Sequence, residues 1–394
     1  MKIVIISAWF SERMGYIENC LPKALAKMGH EVHLISSTAQ VYYNSPDYEK
    51  VYEPFLGKNI QAEGVKHVDG YTLHRLPFRS VNKKVCFKKL GKTLSKIKPD
   101  VVQVFDPSSY TTLQVAYHKI FLGYKLFTAN HTVASVFPLY RQGKNSIGHR
   151  IAFFFLRTVP GRMISWMTSR SFPATIDALD LAVKYYGIQK HKVKLASLGV
   201  DTDLFCPAKS TDQRSAERKR LGFDEGDIIC IYTGRFTEGK DPLLLARAIH
   251  DLVEAGEPFK ALFMGDGPQQ EEIKKRKGCV VHKFVPYHEL PGYYALADIG
   301  CWPRQESTSM IDASSCGLPI LISDKVQAKE RVEGNGLTYV ENNVEDLMQV
   351  LMKLKDPRMR AKLGRAGTEK IKDQFSWDKI AGERVRDYEF FIRS

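Results

Sequence analysis

The chain has 394 residues and a formal net charge of +14 at pH 7; 44% of its residues are hydrophobic and 26% are charged. This length is too great for one ordinary core and the composition excludes extensive disorder, so we predict two folded domains of roughly 200 residues each. The seven cysteines are odd in number and include no CxxC pair, which excludes a disulfide framework or zinc knuckle and indicates free thiols in a reducing compartment.

The first half opens with short apolar strands alternating with amphipathic helices. A strand over Lys2–Ser7 precedes a helix over roughly Tyr16–Met28. Further buried strands are predicted at Glu31–Ser36, Val101–Val104 and Lys125–Ala129. This pattern is typical of a parallel βαβ sheet. The N-terminal apolar run is too short for a signal peptide and no run approaches the roughly 20 apolar residues of a membrane span, so we expect a cytoplasmic chain.

The second half repeats this pattern. Its predicted strands are Ile228–Tyr232, Ala261–Met264, Cys279–Val281, Ile299–Trp302 and Ile320–Ile322. A polar stretch after Pro207 separates the two halves. We therefore predict an N-terminal α/β domain over residues 1–205, a second over residues 206–376, and a helix over residues 377–394 that returns to the first domain.

The positive charge lies in the first half. Residues 1–206 hold 28 Lys and Arg against 14 Asp and Glu, and the remainder holds 30 against 30. No acidic residue occurs between Asp106 and Asp177. A basic half joined to a neutral half predicts different partners for the two, and an anionic partner for the first.

Two cations follow the first strand of the second half. Gly234-Arg235 is separated from Lys240 by Phe-Thr-Glu-Gly. Loops at the carboxyl ends of parallel strands converge on one crevice, so both side chains are expected to reach one ligand. Arg supplies a fork of donors and Lys a point charge, which suits a polyanion. The alternative is a pair of solvated surface cations.

Two carboxylates flank a predicted helix start after another strand. Glu306 precedes Ser307, Thr308 and Ser309, which are expected to cap the helix, and Asp312 lies one turn in. The N–H groups of a helix start favour a phosphate, and carboxylates accept hydrogen bonds from sugar hydroxyls. With the two cations, this predicts a nucleotide-sugar site. The alternative is that Glu306 is solvated and Asp312 only complements the helix dipole.

Five motifs occur in order through the second half. They are Gly199-Val-Asp-Thr-Asp-Leu-Phe-Cys-Pro, Gly234-Arg-Phe-Thr-Glu-Gly-Lys-Asp-Pro, Gly265-Asp-Gly-Pro, Phe284-Val-Pro-Tyr-His-Glu-Leu and Asp312-Ala-Ser-Ser-Cys-Gly-Leu-Pro. In this order they resemble the landmarks of retaining glycosyltransferases of family 4. The first half is similar more loosely, through Gly15, Gly29-His-Glu-Val-His and Pro99-Asp-Val-Val. The resemblance implies the GT-B fold, an α/β architecture with two Rossmann-like, doubly wound domains facing across a cleft.

The resemblance also implies roles for residues of the second half. Arg235 and Lys240 would hold the donor diphosphate, and Asp312 would bind the ribose. Phe284 and Val285 would line the base pocket, largely through their backbone. A UDP- or GDP-sugar is the favoured donor, and no separate cofactor is expected.

In the first half, Gly15 would let the backbone approach a phosphate, and His131 would contact the transferred sugar. The implied mechanism is retaining, with the acceptor attacking on the face that the diphosphate leaves, while the cations stabilise the leaving group. No metal is expected, because the string Asp201-Thr-Asp203 lies in the inter-domain segment and is interpreted as structural.

The chain departs from the family pattern in its carboxylate pair. Five residues separate Glu306 from Asp312 where the family has seven, and Arg304 occupies the strict position of the family's first glutamate. Asp312 is a shortened version of the second. The resemblance therefore does not fix the sugar.

Two segments of the first half combine basic and bulky apolar residues. Residues 85–98 predict one amphipathic helix, and residues 147–168 interleave arginines with aromatic and aliphatic side chains. The basic residues are Lys88, Lys89, Lys92 and Lys96 in the first segment and Arg150, Arg157 and Arg162 in the second. Such segments suit an anionic membrane interface or an acceptor carrying phosphate. The alternative is that the apolar stripes pack on the domain core.

The leading prediction is a glycosyltransferase that moves a sugar from a nucleotide-diphosphate donor to a membrane lipid or lipid-linked glycan, peripherally at the cytoplasmic face. A soluble polyol or sugar acceptor is the alternative. A non-hydrolysing sugar-nucleotide epimerase shares the fold but fits the motifs less well. A non-enzymatic protein that binds nucleic acid through its basic half is a further, less favoured alternative. No nucleic-acid partner is expected, since no recognition-helix, RRM or OB signature accompanies that half. No feature of the sequence specifies an oligomeric state.

Overall fold

The computed structural model describes residues 1–81, 84–132, 137, 139, 146–208 and 212–394, with the side chains of residues 212 and 213 excepted. The chain forms two compact units. Unit 1 comprises Met1–Leu198 together with Asp378–Ser394, and unit 2 comprises Gly199–Trp377. The boundaries predicted from the sequence lie at residues 205 and 376.

Unit 1 is built on a seven-stranded sheet with the order β3-β4-β2-β1-β7-β8-β9 and a separate β5-β6 hairpin. The strands are β1 (Lys2–Ser7), β2 (Glu31–Ser37), β3 (Gly64–Val68), β4 (Tyr71–Leu76), β5 (Phe78–Val81), β6 (Lys84–Phe87), β7 (Val101–Phe105), β8 (Lys125–Asn130) and β9 (Thr168–Pro173). Every pairing in the larger sheet is parallel except that of β3 with β4. Strand β1 is a continuous apolar run because both faces of a parallel sheet are covered.

Seven helices of unit 1 lie between these strands. They are α1 (Ile17–Lys27), α2 (Glu53–Leu56), α3 (Leu90–Ile97), α4 (Tyr110–Leu122), α5 (Ile147–Phe153), α6 (Val159–Met167) and α7 (Ile176–Lys184). A single π-helical turn, Phe154–Thr158, joins α5 to α6.

Unit 2 is built on a six-stranded, all-parallel sheet with the order β12-β11-β10-β13-β14-β15. Its strands are β10 (Ile228–Thr233), β11 (Phe259–Met264), β12 (Cys279–His282), β13 (Ile299–Trp302), β14 (Ile320–Ser323) and β15 (Gly336–Tyr339). Its helices are α8 (Asp212–Arg220), α9 (Pro242–Glu254), α10 (Gln270–Lys274), α11 (Leu290–Leu296), α12 (Ser309–Ser315), α13 (Val344–Lys353) and α14 (Pro357–Lys370). The predicted α/β class is therefore confirmed, with the doubly wound strand order of a Rossmann-like fold in this unit.

The last helix, α15 (Trp377–Arg393), packs on unit 1. Its Tyr388 hydroxyl donates to Gln103 Oε1 on β7 at 2.7 Å. Its Asp387 pairs with Arg170 and also with Lys194, whose Nζ lies 2.8 Å from the carboxylate. These long-range contacts tie the end of the chain to the sheet that its beginning forms.

The amphipathic segment predicted over residues 85–98 is corrected by the structure. Residues 84–87 form strand β6, and only Leu90–Ile97 is helical. The apolar stripe of α3, Leu90, Leu94 and Ile97, is buried in the unit 1 core. It cannot also insert into a membrane, so the alternative of a core-packed stripe is the one the structure supports.

The lysines beside this stripe are exposed on the surface of unit 1. Lys89 forms an ion pair with Glu63 at 2.6 Å, and Lys88, Lys92 and Lys96 are exposed. They form a solvated basic face rather than the polar side of a membrane helix. Within the described residues, no helix is long and apolar enough to cross a bilayer.

Candidate functional site

The strand order of unit 2 reverses between β10 and β13, so the loops after these strands diverge and open a crevice. The β10 loop carries Arg235 and Lys240, and the β13 loop carries Glu306. The structure therefore brings three of the predicted site residues to the one edge of this sheet where a ligand is expected.

The backbone of the β10 loop is fixed by hydrogen bonds. The Tyr232 hydroxyl donates to the carbonyl of Arg235 at 2.9 Å, and the Phe236 N–H donates to the carbonyl of Asp266 at 2.8 Å. Because these bonds use main-chain groups of residues 235 and 236, they hold the loop without engaging the Arg235 guanidinium. That side chain stays exposed.

Glycines in the β11 loop allow the two loops to approach closely. Gly265 has φ +155°, and a Cβ there would collide with the carbonyl oxygen of Gly234. A Cβ at Gly267 would meet the Phe236 backbone in the same way. The Gly-Asp-Gly motif thus serves loop packing, since no larger residue fits.

The two cations of the β10 loop have no acidic partner within ion-pair distance among the described residues. Lys240 is half-buried, and its pKa is lowered, chiefly by that burial and further by the charge of Arg235, while Glu306 opposes the shift. A partly desolvated ammonium without a partner is unfavourable in the free protein. A bound anion would remove that cost.

Arg304 occupies the position where the family has its first glutamate, and it lies near the same loop. Its guanidinium is exposed and donates a long hydrogen bond of 3.5 Å to the carbonyl of Glu238. Glu306 is half-buried and lies within electrostatic range of Lys240. The carboxylate of Glu306 therefore lies two positions later in the chain than the glutamate of the family pattern. Arg304 adds a third cation near the β10 loop.

Asp312 is buried in α12. Burial raises its pKa well above the ordinary aspartate value, with Arg331 as the opposing influence. The structure thus presents Asp312 as an enclosed group that favours its protonated form. Its assignment to the ribose stays a prediction.

The helix start predicted around residues 307–309 is present but is capped differently. Helix α12 begins at Ser309, and Thr308 at the N-cap accepts no hydrogen bond through its side chain. The Ser307 hydroxyl instead accepts the N–H of Ser309 at 3.3 Å. The remaining predicted donor-site residues, Phe284 and Val285, are half-buried in the irregular segment after β12.

The other predicted site residues lie in unit 1, where the strand order reverses between β1 and β7. Gly15 lies in the loop between β1 and α1. His131 directly follows β8, is exposed, and packs edge-on against Phe105 with 6.1 Å between ring centroids. Strands β1, β7 and β8 run parallel, so all three end at the carboxyl edge of the sheet.

Sequence reasoning missed Asp106, which directly follows β7 at φ +62°. Burial works to raise its pKa, but Lys84 and Arg157, 3.3 and 3.5 Å away, outweigh burial and lower it. Asp106 is therefore an ionised group held by two cations. The sequence contains a signal that could have identified it, because Asp106 is the last acidic residue before a long stretch that contains only basic charges.

This pairing corrects the assignment of Arg157 to a membrane or acceptor surface. Its guanidinium also donates to the carbonyl of Ser108 at 3.2 Å, and the side chain is half-buried. Arg150 and Arg162 are exposed, and the Arg162 guanidinium lies 5.8 Å from the centroid of the Phe154 ring. Only these two of the three arginines face outward.

The Asp201-Thr-Asp203 string forms a turn. The Asp201 carboxylate accepts the N–H groups of Asp203 and Leu204 at 3.2 and 3.3 Å. Among the described residues no group of three His, Cys, Asp or Glu side chains is arranged to hold a metal ion.

Comparison with known families defines the class of protein. The model described as "Glycosyl transferases group 1" matches residues 213–370, and the model described as "Glycosyltransferase Family 4" matches residues 21–204. The fold is also that of Anabaena HepE in complex with UDP-glucose, with a TM-score of 0.68, 14% identity and 98% of each chain covered. The protein is a GT-B glycosyltransferase by fold. The chain belongs to glycosyltransferase family 4.

Two curated relatives are more similar in sequence. One is the GDP-mannose-dependent monoacylated alpha-(1-6)-phosphatidylinositol monomannoside mannosyltransferase of Corynebacterium glutamicum, 27% identical over 60% of this chain and 67% of the relative. The other is the D-inositol 3-phosphate glycosyltransferase of Jonesia denitrificans, 31% identical over 52% of this chain and 53% of the relative. The chain thus spans between about half and two thirds of the length of these relatives.

The two cations of the β10 loop generate the first prediction. Arg235→Ala and Lys240→Ala should each lower sugar transfer by about 100-fold or more, since each removes a charge that is predicted to bind the donor diphosphate. The Tm should not fall in either variant, because neither side chain has an acidic partner within ion-pair distance among the described residues and the burial of Lys240 is unfavourable. Lys275→Ala, an exposed lysine of the same unit, is the matched control and should keep full activity. Near-normal turnover in either site variant would refute the diphosphate assignment.

The buried carboxyl group of Asp312 generates the second prediction, which concerns the pH dependence of stability. An unfolded aspartate has a pKa of about 4. The folded-state pKa is raised, so the stabilisation from this carboxyl is fully present below pH ~4 and is lost as pH rises above it. Asp312→Asn removes this loss, so its Tm relative to the wild type should increase between pH 4 and pH 8, by about 3 °C per kcal/mol.

Calorimetric or fluorescence melting curves across this pH range measure the difference. The exposed Asp251→Asn is the control, and its Tm difference from the wild type should not vary with pH. A pH-independent difference for Asp312→Asn would mean that the carboxyl is ionised in the folded protein.

Proposed function

We propose that this chain transfers a sugar from a nucleotide-diphosphate sugar to a lipid-linked acceptor, with retention of configuration and without a metal ion. The donor is a UDP- or GDP-sugar, and the acceptor is a membrane lipid or lipid-linked glycan at the cytoplasmic face. The observation that carries the proposal is the position of Arg235 and Lys240 at the edge where the strand order of unit 2 reverses. Among the described residues, neither cation has an acidic partner within ion-pair distance.

A diphosphate matches this pair in charge and in extent. The exposed guanidinium of Arg235 offers a planar fork to phosphate oxygens, and Lys240 offers a point charge whose burial is unfavourable without an anion. Solvated surface cations would not show a burial-lowered pKa. The alternative of two unrelated surface charges therefore loses support at Lys240.

In the proposed reaction, the bond from the sugar C1 to the diphosphate oxygen breaks, and the acceptor oxygen forms a bond to C1 on the same face. The proton of the acceptor hydroxyl passes to the departing phosphate oxygen, so no protein nucleophile is required. Arg235 and Lys240 stabilise the negative charge that develops on the leaving group. His131 retains its predicted role beside the transferred sugar as part of this proposal.

The acceptor class is supported by the relatives. The Corynebacterium relative is named for a phosphatidylinositol mannoside and the Jonesia relative for inositol 3-phosphate. One name describes a lipid and the other a soluble molecule, so the choice between them rests on the surface of this chain. That surface favours the lipid.

Unit 1 carries an unusual concentration of exposed apolar side chains. Those of α5, α6 and the turn between them are Ile147, Ile151, Phe154, Phe155, Leu156, Met163 and Trp166, and those of α4 are Tyr117, Ile120 and Phe121. Trp166 is 74% exposed and Phe121 is 70% exposed. The only exposed charges of α5 and α6, Arg150 and Arg162, are positive. Aromatic and aliphatic side chains beside arginines suit an anionic bilayer surface.

The backbone beneath Trp166 is fixed. Lys192 Nζ donates to the carbonyls of Ser165 and Trp166 at 2.7 and 3.2 Å, and Lys119 Nζ donates to the carbonyl of Met167. Two ammonium groups at the carboxyl end of α6 complement its dipole. Trp166 therefore projects from a supported position, which is the arrangement expected of an interfacial anchor.

Donor binding tests the enzymatic proposal directly. A nucleotide-sugar at about 100 times its Kd should stabilise the folded protein by about 2.7 kcal/mol. We expect one of a panel of UDP-, GDP- and ADP-sugars to raise the Tm of the wild type, and Arg235→Ala to abolish that rise. The absence of any shift across the panel would contradict nucleotide-sugar binding.

Vesicle binding tests the acceptor proposal. The double variant Phe121→Glu/Trp166→Glu should lower co-sedimentation with phosphatidylcholine–phosphatidylglycerol vesicles by about tenfold or more, since two aromatic side chains leave the bilayer. Donor-induced stabilisation should be unchanged. Phe390→Glu, which alters a 61% exposed aromatic residue on α15, is the matched control and should bind normally.

The salt dependence of vesicle binding distinguishes the exposed apolar side chains of α4, α5 and α6 from the exposed lysines on and just before α3. Binding through apolar insertion should persist at high salt, whereas binding through Lys88, Lys92 and Lys96 alone should vanish there. Wild-type protein that ignores anionic vesicles at moderate salt would instead favour a soluble acceptor.

A further inference from the structure

Two exposed tyrosines lie together on loops that follow neighbouring strands of unit 1. Tyr16, at the end of the β1 loop, is 37% exposed, and Tyr42, in the segment after β2, is 38% exposed. Their hydroxyl oxygens are hydrogen bonded at 3.0 Å. Tyr16 directly follows Gly15 in the chain, and neither the family motifs nor the residues assigned to the donor account for the two tyrosines.

Tyr42 is held in an unfavourable backbone conformation. Its φ is +60°, which for a bulky residue costs about 1–3 kcal/mol and persists only where the surroundings enforce it. One face of its ring stacks on the buried Tyr52, with centroids 4.7 Å apart and an interplanar angle of 22°. Because Tyr52 covers one face, the exposed area lies on the other face and the edge.

A buried polar network fixes the backbone on which these tyrosines stand. The Ser11 hydroxyl donates to Gln40 Oε1 at 2.6 Å and accepts the N–H of Val41 at 3.0 Å. Gln40 Nε2 donates to the carbonyl of Leu56 at 2.8 Å. The network ties the β1 loop, the segment after β2 and the end of α2 together. The exposed rings are therefore preorganised rather than free to rotate with their loops.

The geometry points to a subsite for a hydroxyl-rich six-membered ring, a pyranose or a cyclitol, stacked on the open face of Tyr42. The C–H face of such a ring is apolar and packs on an aromatic face. The paired hydroxyls of Tyr16 and Tyr42 can each donate to and accept from ring hydroxyls. An acyl chain or simple alcohol would use only one of these features. The subsite rests on the proposed function, because it assigns the ring to the acceptor.

Ring binding can be measured without turnover by saturation-transfer NMR. The probes are methyl α-D-glucopyranoside, myo-inositol and, as a hydroxyl-rich compound without a ring, glycerol. At least one ring should show transfer to its C–H protons with the wild type, and glycerol should show none. Tyr42→Leu should weaken the ring signal about tenfold by removing the aromatic face. Phe390→Leu, at an exposed aromatic residue on α15 of unit 1, should leave it unchanged.

A melting curve of each variant shows that it is folded. If Tyr42→Leu fails to fold, Tyr16→Phe replaces it, since it removes only a hydroxyl and should weaken ring binding severalfold. A signal that is equally strong in the wild type and in the folded variant overturns the subsite. So does a wild type that binds neither ring. The relative signals of the two rings identify which class of acceptor the subsite takes.

Steady-state kinetics separate this inference from the proposed function. With a competent acceptor, Tyr42→Leu should raise the acceptor KM about tenfold and leave the donor KM within about twofold. Sugar transfer with an unchanged acceptor KM would remove the subsite and leave the transferase. Ring binding without sugar transfer from any nucleotide-sugar would support the subsite and contradict the proposed transferase function.

Discussion

The reversal of strand order in each parallel sheet is the constraint on which the site depends. Where the order reverses, successive crossovers run to opposite faces, and two adjacent loops separate at the carboxyl edge. In unit 2 this places the loop of Arg235 and Lys240 beside the loop of Glu306, and in unit 1 it places the β1 loop beside Asp106. The strand order of each sheet thus determines where a ligand site can form, and the side chains on the loops determine which ligand it can bind.

Two aspartates show how burial and charge divide the carboxyl groups of the protein. Asp312 is buried, and the charge of Arg331 only partly offsets the effect of burial, so its pKa is raised. Asp106 is also desolvated, but Lys84 and Arg157 reverse the effect and its pKa is lowered. Burial therefore shifts the pKa of one aspartate upward, while two neighbouring cations shift the pKa of the other downward.

Much of the architecture is readable from local sequence. Strands such as Lys2–Ser7 and Ile299–Trp302 are short apolar runs bounded by turn residues, and the structure places them as predicted. The sequence does not predict β3, whose residues are mostly exposed, or β15, in which only Tyr339 is buried, because neither strand is a continuous apolar run. The sequence predicts a helix that includes residues 85–87 because Phe87 continues the apolar stripe of α3, but these residues pair with β5 in a hairpin.

The position of the candidate site residues can be read from the sequence where they lie close together in the chain, and cannot where their partners are distant. Arg235 and Lys240 lie in one short loop, so spacing alone indicates a shared ligand. The pairing of Arg157 with Asp106 spans 51 residues, and no local pattern reveals it. Tyr42 likewise depends on a positive φ that its neighbours impose, which sequence patterns do not specify for a tyrosine.

The long-range anchoring of α15 sets the order in which the protein can be made. A ribosome delivers unit 2 in full before it releases the helix that covers Gln103 and Phe172 in unit 1. Until then, Phe127 and Phe172 of the unit 1 sheet lack the contacts that Tyr388 and Arg384 make with them, although unit 2 has already been synthesised. Unit 1 therefore completes its packing only after Asp378–Ser394 has been synthesised.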